Sequence, residues 1–449
     1  MKKKKKRIRL RWGRIAAALS VLAAIVVAIY FLISGAIALF SKLFAAPEDG
    51  SEESETTVNI TMEMLKSDSI IAHRIDSIIR RPQYLDTSKI AISVYNLATQ
   101  QTIYSRHDND TLIPASCMKI ATALTALERL GMNYRYKEHL LVRGEMKRDT
   151  LVGNLLLLAD DDPLFESFDG LITKMKQRGI RHVRGNVIVT LAREDTLRAH
   201  PTAKAWDIPY HKTPILLRGK KYVERHFLAS LRAKGVTIKK DNSVNSLLAK
   251  GRMGGGKYHY VATSSHALRD VITPMLIHSS NIKADALFYH LNYKAGLYPN
   301  RRMNWDNPNV ITEYLKMIPS DDKDIMQKIV VHDGSGLSPE NRLTARFLVD
   351  ILRHAYKDKA VRDYLINEAL ASPAGGERCG SLMTRMCRPE YKGRLFCKTG
   401  TMTTVGASSL SGYIIGQNGN MYVFSIINSD SPVYESRRFQ DYVCKAMMK

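Results

Sequence analysis

At 449 residues, 45% of them hydrophobic and 24% charged, the chain has ordinary globular composition and is long enough for two or three domains. Its net charge of +24 includes nine basic residues within Lys2–Arg14, and the surplus of about +15 that remains is spread along the chain. No basic stripe with interleaved aromatics is present, so nucleic acid is excluded as a partner; attraction to an anionic polymer or a membrane surface stays open.

Residues 15–40, IAAALSVLAAIVVAIYFLISGAIALF, are uncharged throughout. As a helix this run would be about 39 Å long, enough to span a bilayer with tilt. The basic tail 1–14 before it sets that end in the cytoplasm by the positive-inside rule. A cleaved signal peptide is the rival reading, but its apolar core is about 7–15 residues long and precedes a small-residue cleavage site. Here LFAAP has Phe44 where a small residue is wanted. The expectation is an uncleaved membrane anchor at 15–40, an acidic solvated linker at 41–58, and everything beyond exported.

Five cysteines stand at 117, 379, 387, 397 and 444, an odd number without zinc-ligand spacing. Cys379–Cys387 is the pair best placed for a local disulfide in an oxidising compartment, and Cys117 and Cys397 read as buried small hydrophobes.

From Asn59 to Ile79 apolar residues recur at helical spacing, and Pro82 closes that region. KIAISVYNLATQQTIYSR reads as two strands about a turn near Ala98–Gln101. A helix then carries Ser116 and Lys119 and ends at Gly131. Between 136 and 264 short apolar runs alternate with polar turns and one helical segment, LITKMKQRGI, which predicts a strand-rich insertion with a surface turn at Gly251–Lys257. Helices return over 266–294, with Pro274 kinking or starting the second of them. DGSGLSPENRLTARFLVDILRHAY predicts a Gly-rich turn and a helix starting near Ser338 and Pro339. RLFCKTGTMTTVGASSLSGYIIGQNGNMYVFSIINS gives three strands with turns at Thr403–Gly406 and Gln417–Asn420, and a last helix closes the chain. The expected class is α/β (α+β). One antiparallel sheet is built from both ends of the exported part and flanked by helices, over 59–135 and 265–449, with 136–264 inserted.

The chemistry lies in three short patterns. Ser116 and Lys119, three residues apart at the start of a helix, share a face, so the amine reaches the hydroxyl. A serine hydroxyl needs a neighbouring base to attack at neutral pH, and a desolvated lysine serves. Ser279-Ser280-Asn281 and Lys398-Thr399-Gly400 complete the S-x-x-K, S-x-N, K-T-G set. Ser280 with Lys283 also fits the first pattern, and Ser243 with Asn245 the second, so each box alone is weak. Context selects among them, because Ser116 opens a well-formed helix and Lys398 lies on the clearest strand.

Longer segments carry more. PASCMKIATALTALERLG, GNLLLLADDDPLF, GNVIVT, SSNIKADAL, DGSGLSPENRL, GSLMTR and CKTGTMTTVGASSLSGY resemble, in that order, the D-alanyl-D-alanine carboxypeptidase/endopeptidase family of low-molecular-mass penicillin-binding proteins, peptidase family S13. The resemblance implies the penicillin-binding protein/β-lactamase-like transpeptidase fold and attack by Ser116 on the bond between the last D-residues of a peptidoglycan stem peptide. By the same resemblance Lys119 is the acylation base, Ser279 relays a proton to the leaving amine, and Asn281 holds Lys119 and the substrate backbone. Lys398 and Thr399 bind the terminal carboxylate, Gly400 lets the backbone approach, and the N–H groups of Ser116 and Thr401 form the oxyanion hole. β-Lactam antibiotics are implied as acylating inhibitors, and neither metal nor organic cofactor is required. Arg385 matches a family arginine that meets a diaminopimelate carboxylate, with a surface ion pair as its alternative. Thr190 stands where the family often has an Asp for the same side chain. The implied location is the bacterial cytoplasmic membrane, single-pass, with the catalytic part periplasmic. Two other functions fit the boxes: a β-lactamase, for which no Glu-bearing loop supplies a deacylating base, and an inactive peptidoglycan-binding protein, against which the intact Ser116, Lys119, Ser279, Asn281 and Lys398 argue.

Overall fold

The computed structural model describes residues 62–449, save 82–84, 204–212, 239–256, 299, 306–307, 374–375 and 387. The basic tail, the apolar run 15–40, the linker and the turn expected at Gly251–Lys257 (all but its last residue) lie outside the described residues. Among the described residues no helix is long and apolar enough to cross a membrane.

Helix α1 (Met62–Ile79) buries Ile71, Ile75 and Ile78, a single stripe at helical spacing. Its buried Asp68 accepts hydrogen bonds from Asn96 Nδ2 and the Tyr422 hydroxyl, each at 2.9 Å, and so ties the helix to two strands. A hairpin of β1 (Ile90–Asn96) and β2 (Gln101–Arg106) follows, then α2 (Met118–Leu130). The middle of the chain supplies β3 (Arg135–Lys147), β4 (Thr150–Ala159), α3 (Asp169–Gln177), β5 (His182–Arg184) and β6 (Val187–Leu191). It continues with α4 (Lys220–Ala233), β7 (Thr237–Ile238) and β8 (His259–Ala267). The last part comprises α5 (Leu268–Ile277), α6 (Asn281–Lys294), two short helices at Val310–Leu315 and Ile325–Lys328, and α7 (Ala345–Lys357). It ends with β9 (Leu395–Met402), β10 (Ala407–Ile415), β11 (Met421–Asn428) and α8 (Val433–Met448).

The two ends of the described chain build one antiparallel sheet in the order β2-β1-β11-β10-β9. Alternation along β1 sends Ile90, Ile92 and Val94 into a core with α1 and α8, and Ala91 and Tyr95 into the opposite core with α2 and α7. Helices cover both faces, so every residue of β1 is buried. A fully buried isoleucine such as Ile75 contributes about 2 kcal/mol. The second sheet runs β7-β5-β4-β3-β8 with β6 also beside β4, and α3 and α4 pack on it through Ile172, Met175, Val223 and Phe227.

Three local expectations are corrected. Helix α7 starts at Ala345, not near Ser338, because the Asp333 carboxylate holds the preceding residues as a loop. There its oxygens accept from the N–H groups of Gly336 at 2.6 Å and Ser338 at 2.7 Å. Thr344 then caps the helix, its hydroxyl accepting from Phe347 N at 3.0 Å. Pro274 lies inside α5, where it removes one hydrogen bond without ending the helix, and the break comes at His278–Ser280. Helix α4 was not foreseen: its buried positions, Val223, Phe227 and Leu231, are diluted by basic residues. Cys379 is a buried thiol, and Cys387, its expected disulfide partner, lies outside the described residues.

Candidate active site

Ser116 does not sit within the helix, as expected, but in a 3-10 turn, Ala115–Cys117, that runs straight into α2. Ala115 before it has φ 45°, a left-handed conformation that a non-glycine residue keeps only when its surroundings impose it. The surroundings here are two close backbone approaches. A Cβ on Gly336 would stand 1.9 Å from the Ala115 carbonyl oxygen, and one on Gly400 would stand 2.8 Å from the Pro114 oxygen and 3.1 Å from Ser116 N. The DGSG loop and strand β9 thus press the turn from separate directions. Ser409 on β10 adds a hydrogen bond from its hydroxyl to the Pro114 oxygen, 2.6 Å.

Lys119 lies one turn further along and is fully buried, whereas Ser116 is half-buried. Its Nζ is 2.8 Å from Ser116 Oγ, 2.7 Å from Asn281 Oδ1 and 2.6 Å from the Ser335 carbonyl oxygen. Three oxygens match the three donors of an ammonium group, so the amine is held by geometry, and its release of one proton would turn a lone pair towards Ser116. Asn281 comes from the first turn of α6, and Ser280 caps that helix, its hydroxyl accepting from Lys283 N. Ser279 sits at the joint between α5 and α6 with φ 58°, a second strained non-glycine position beside the same lysine ligand.

Strand β9 is the sheet edge next to the Ser116 turn. The Cys397 amide donates outward to the Ala371 oxygen at 2.9 Å, and strand alternation turns the Thr399 and Thr401 amides outward as well. That orientation suits both an oxyanion donor at Thr401 and pairing with an extended peptide. Lys398 is fully buried, its Nζ donating to the Thr399 oxygen at 2.7 Å. Burial pulls its amine down to about 8. Thr399 donates to Ser381 Oγ at 2.7 Å, and Thr401 Oγ1 accepts from Arg437 Nη2 at 2.9 Å.

Arg385 is placed differently from the other candidates. It is buried, and its guanidinium donates to Asp441 Oδ1, Gln440 Oε1 and the Arg437 oxygen, all on α8. A substrate carboxylate would have to compete with Asp441 for it. Thr190 lies on β6 in the second sheet with its hydroxyl buried and unpartnered.

Three contributors escaped the sequence. Ser335 acts through its backbone oxygen, which no residue type announces. Asp333 shapes the loop that carries it, and the Asp-Gly-Ser-Gly run was a signal for such a side-chain-bonded turn. Asp285, one turn beyond Asn281 on α6, is completely buried, facing the Ser335 loop. Burial first, then the nearby Asp333 charge, pushes its carboxyl well above the usual range, with Lys119 acting in the opposite sense.

An activated serine on a helix start, a buried lysine against it, and a sheet edge alongside define a serine-type acyl-transfer enzyme. The profile of the D-Ala-D-Ala carboxypeptidase 3 (S13) family matches residues 71–215 and 210–445. The D-alanyl-D-alanine carboxypeptidase of Actinomadura sp. is 24% identical over 442 residues, covering 79% of this chain and 80% of the relative. Among solved structures, penicillin binding protein 4 of Haemophilus influenzae superposes with a TM-score of 0.63 at 16% identity, over 83% of this chain and 98% of that one. A predatory endopeptidase of Bdellovibrio bacteriovorus, in complex with an immunity protein, gives a TM-score of 0.52 at 18% identity, over 80% and 92% of the two chains. The chain belongs to the D-Ala-D-Ala carboxypeptidase 3 (S13) family and is a serine-type D-Ala-D-Ala carboxypeptidase.

Proposed function

We propose that the enzyme hydrolyses the D-alanyl-D-alanine end, or the cross-bridge, of peptidoglycan stem peptides through an acyl-enzyme on Ser116. The observation that carries this reading is the 2.8 Å contact between Lys119 Nζ and Ser116 Oγ, fixed from the far side by Asn281 and the Ser335 oxygen. Neutral Lys119 takes the Ser116 proton as Oγ attacks the carbonyl carbon. The oxyanion that forms accepts hydrogen bonds from the Ser116 and Thr401 amides. Ser279 passes the proton to the leaving D-residue amine, and water then releases the acyl group. Lys398 supplies positive field for the terminal carboxylate, which Thr399 and Thr401 receive by hydrogen bonds, and Gly400 keeps the strand close. A β-lactam mimics the substrate and acylates the same hydroxyl.

The apolar run 15–40 and the basic tail before it support the further reading that the enzyme is anchored in the bacterial cytoplasmic membrane with its catalytic part outside.

Labelling with a fluorescent penicillin tests the reading. Long-lived label on the wild type and none on Ser116→Ala is the expected result. Label that is lost within seconds with turnover of the drug would make the enzyme a β-lactamase, and absence of any label would overturn the acyl-enzyme.

A further inference from the structure

Away from Ser116, the second sheet gathers side chains that the reaction does not use. In the register of β3 with β8, Tyr136 faces His266 and Glu138 faces Ser264. Residues two apart on a strand share a face, so Glu138 and His266 are diagonal neighbours on one side of the sheet. In the register of β3 with β4, Glu138 also pairs with Ala159, the last residue of β4. The chain leaves β4 there through Asp160-Asp161-Asp162, which brings a third ligand-type side chain to the same spot. One ligand atom from each of Glu138, Asp162 and His266 lies within 4.8 Å of the others.

The neighbouring acids have partners and Glu138 has none. Asp160 pairs with Lys294 at 3.2 Å, Asp161 with His290, and Asp162 with His266 Nδ1 at 2.5 Å, while Asp162 Oδ1 also accepts from Leu164 N at 2.8 Å. Glu138 is 0% exposed, and neither of its carboxylate oxygens accepts a hydrogen bond from another residue. A buried carboxyl without donors is costly, and it is relieved in one of two ways, by keeping its proton or by meeting a cation. The convergence of an imidazole and a second carboxylate on it favours the cation.

We propose that Glu138, Asp162 and His266 form a structural site for a divalent metal ion of the zinc class. One nitrogen and two carboxylate oxygens are a borderline set that suits Zn²⁺ better than Mg²⁺ or Ca²⁺, which take oxygen ligands. A tetrahedral ion with bonds of about 2.0–2.2 Å places its ligand atoms roughly 3.3–3.6 Å apart, a closure that side-chain rotations would supply. The His266 side chain is 36% exposed, which leaves a solvent-facing fourth position for water. His266 lies directly before α5, the helix that ends at Ser279. The ion would therefore pin β3, the exit of β4 and the start of α5 together.

The test uses the full chain, purified with chelator, dialysed, and titrated with ZnCl₂, with MnCl₂ and MgCl₂ for comparison. Bound metal is counted by elemental analysis and stability is followed by thermal melting. The wild type is expected to retain one zinc more per chain than Glu138→Gln and His266→Ala. Saturating zinc is expected to raise its melting temperature by about 5 °C relative to either variant. Equal zinc content and equal shifts in all three proteins would overturn the site and leave Glu138 as a neutral buried acid. Should Glu138→Gln fail to fold, His266→Ala carries the test, since its half-exposed ring can be removed without opening the core. A preference for manganese over zinc would overturn the assignment of metal class.

Discussion

Gly336 and Ala115 touch so closely that a Cβ on Gly336 would overlap the Ala115 carbonyl oxygen at 1.9 Å. The loop that lends its Ser335 oxygen to Lys119 is therefore the same loop that holds the Ser116 turn in its strained shape. Gly336→Ala is expected to displace that turn, and because Gly336 has φ 80° it adds backbone strain of about 1–3 kcal/mol. Acylation by a fluorescent penicillin should slow by about 100-fold, the cost of misplacing a nucleophile by roughly 1 Å. Gly131→Ala is the control: its φ of 86° carries similar strain, but nothing lies within 4 Å of the added Cβ. It should lower the melting temperature and leave the acylation rate unchanged.

Lys119 has a matched pair of variants. Lys119→Met keeps the length of the side chain and removes the amine, and a lost general base slows a reaction by about 10²–10⁴-fold. Asn281→Ala removes one of the three oxygens around Nζ and leaves the base in place, so its loss should be smaller. The second-order rate of penicillin labelling measures both. An acylation rate for Lys119→Met within tenfold of the wild type would remove Lys119 from the role of base.

The elements easiest to read in the sequence were those whose packing is periodic. β1 and β9–β11 alternate, α1 and α8 carry apolar stripes, and their turns fall where Gly and Asn predict them. The catalytic pairing of Ser116 with Lys119 was legible because three residues on a helix start fix their own distance. What escaped depends on contacts that residue type does not encode. The Ser335 oxygen is backbone, the Ala115 strain is imposed by Gly336 and Gly400 from other segments, and the start of α7 was misplaced because Asp333 holds Ser338 by its amide. Pro339 looked like a first helical residue and is instead part of that loop. The Lys220–Ala233 helix was hidden because only Val223, Phe227 and Leu231 are buried along it.

Arg385 offers a choice between two roles. Its contacts with Asp441, Gln440 and the Arg437 oxygen make it a fastener between the loop before β9 and helix α8. Asp441 is partly exposed, so removing one partner of this charge-assisted pair costs about 1.5–3 kcal/mol. Arg385→Met should therefore lower the melting temperature by several degrees, and Asp441→Asn should do the same. KM for stem peptides should be insensitive to whether the diamino-acid side chain ends in a carboxylate or an amide. A variant of unchanged stability whose KM rises only for the carboxylate form would instead make Arg385 a substrate ligand.

Lys398 gives the pH dependence a direction. Burial lowers its amine from an ordinary value of 10.5 to about 8, so its positive charge is present at neutral pH and is lost as the pH rises through about 8. A substrate whose terminal carboxylate meets that charge should bind more weakly across the same interval, while the corresponding C-terminal amide should not. The ratio of kcat/KM for the two substrates isolates Lys398, since the groups that carry out acyl transfer enter both equally. The ratio is expected to fall by about tenfold per pH unit above 8 until the neutral form dominates binding. Replacement by arginine, which stays charged, should flatten it. Stability moves the other way. Below about 8 the ammonium is charged in both the folded and unfolded chain, and its burial is fully unfavourable. Between about 8 and 10.5 the unfolded chain holds more protons than the folded one, so this residue adds stability as the pH rises through that window. A substrate ratio that is flat from pH 7 to 10 in the wild type would remove Lys398 from carboxylate recognition.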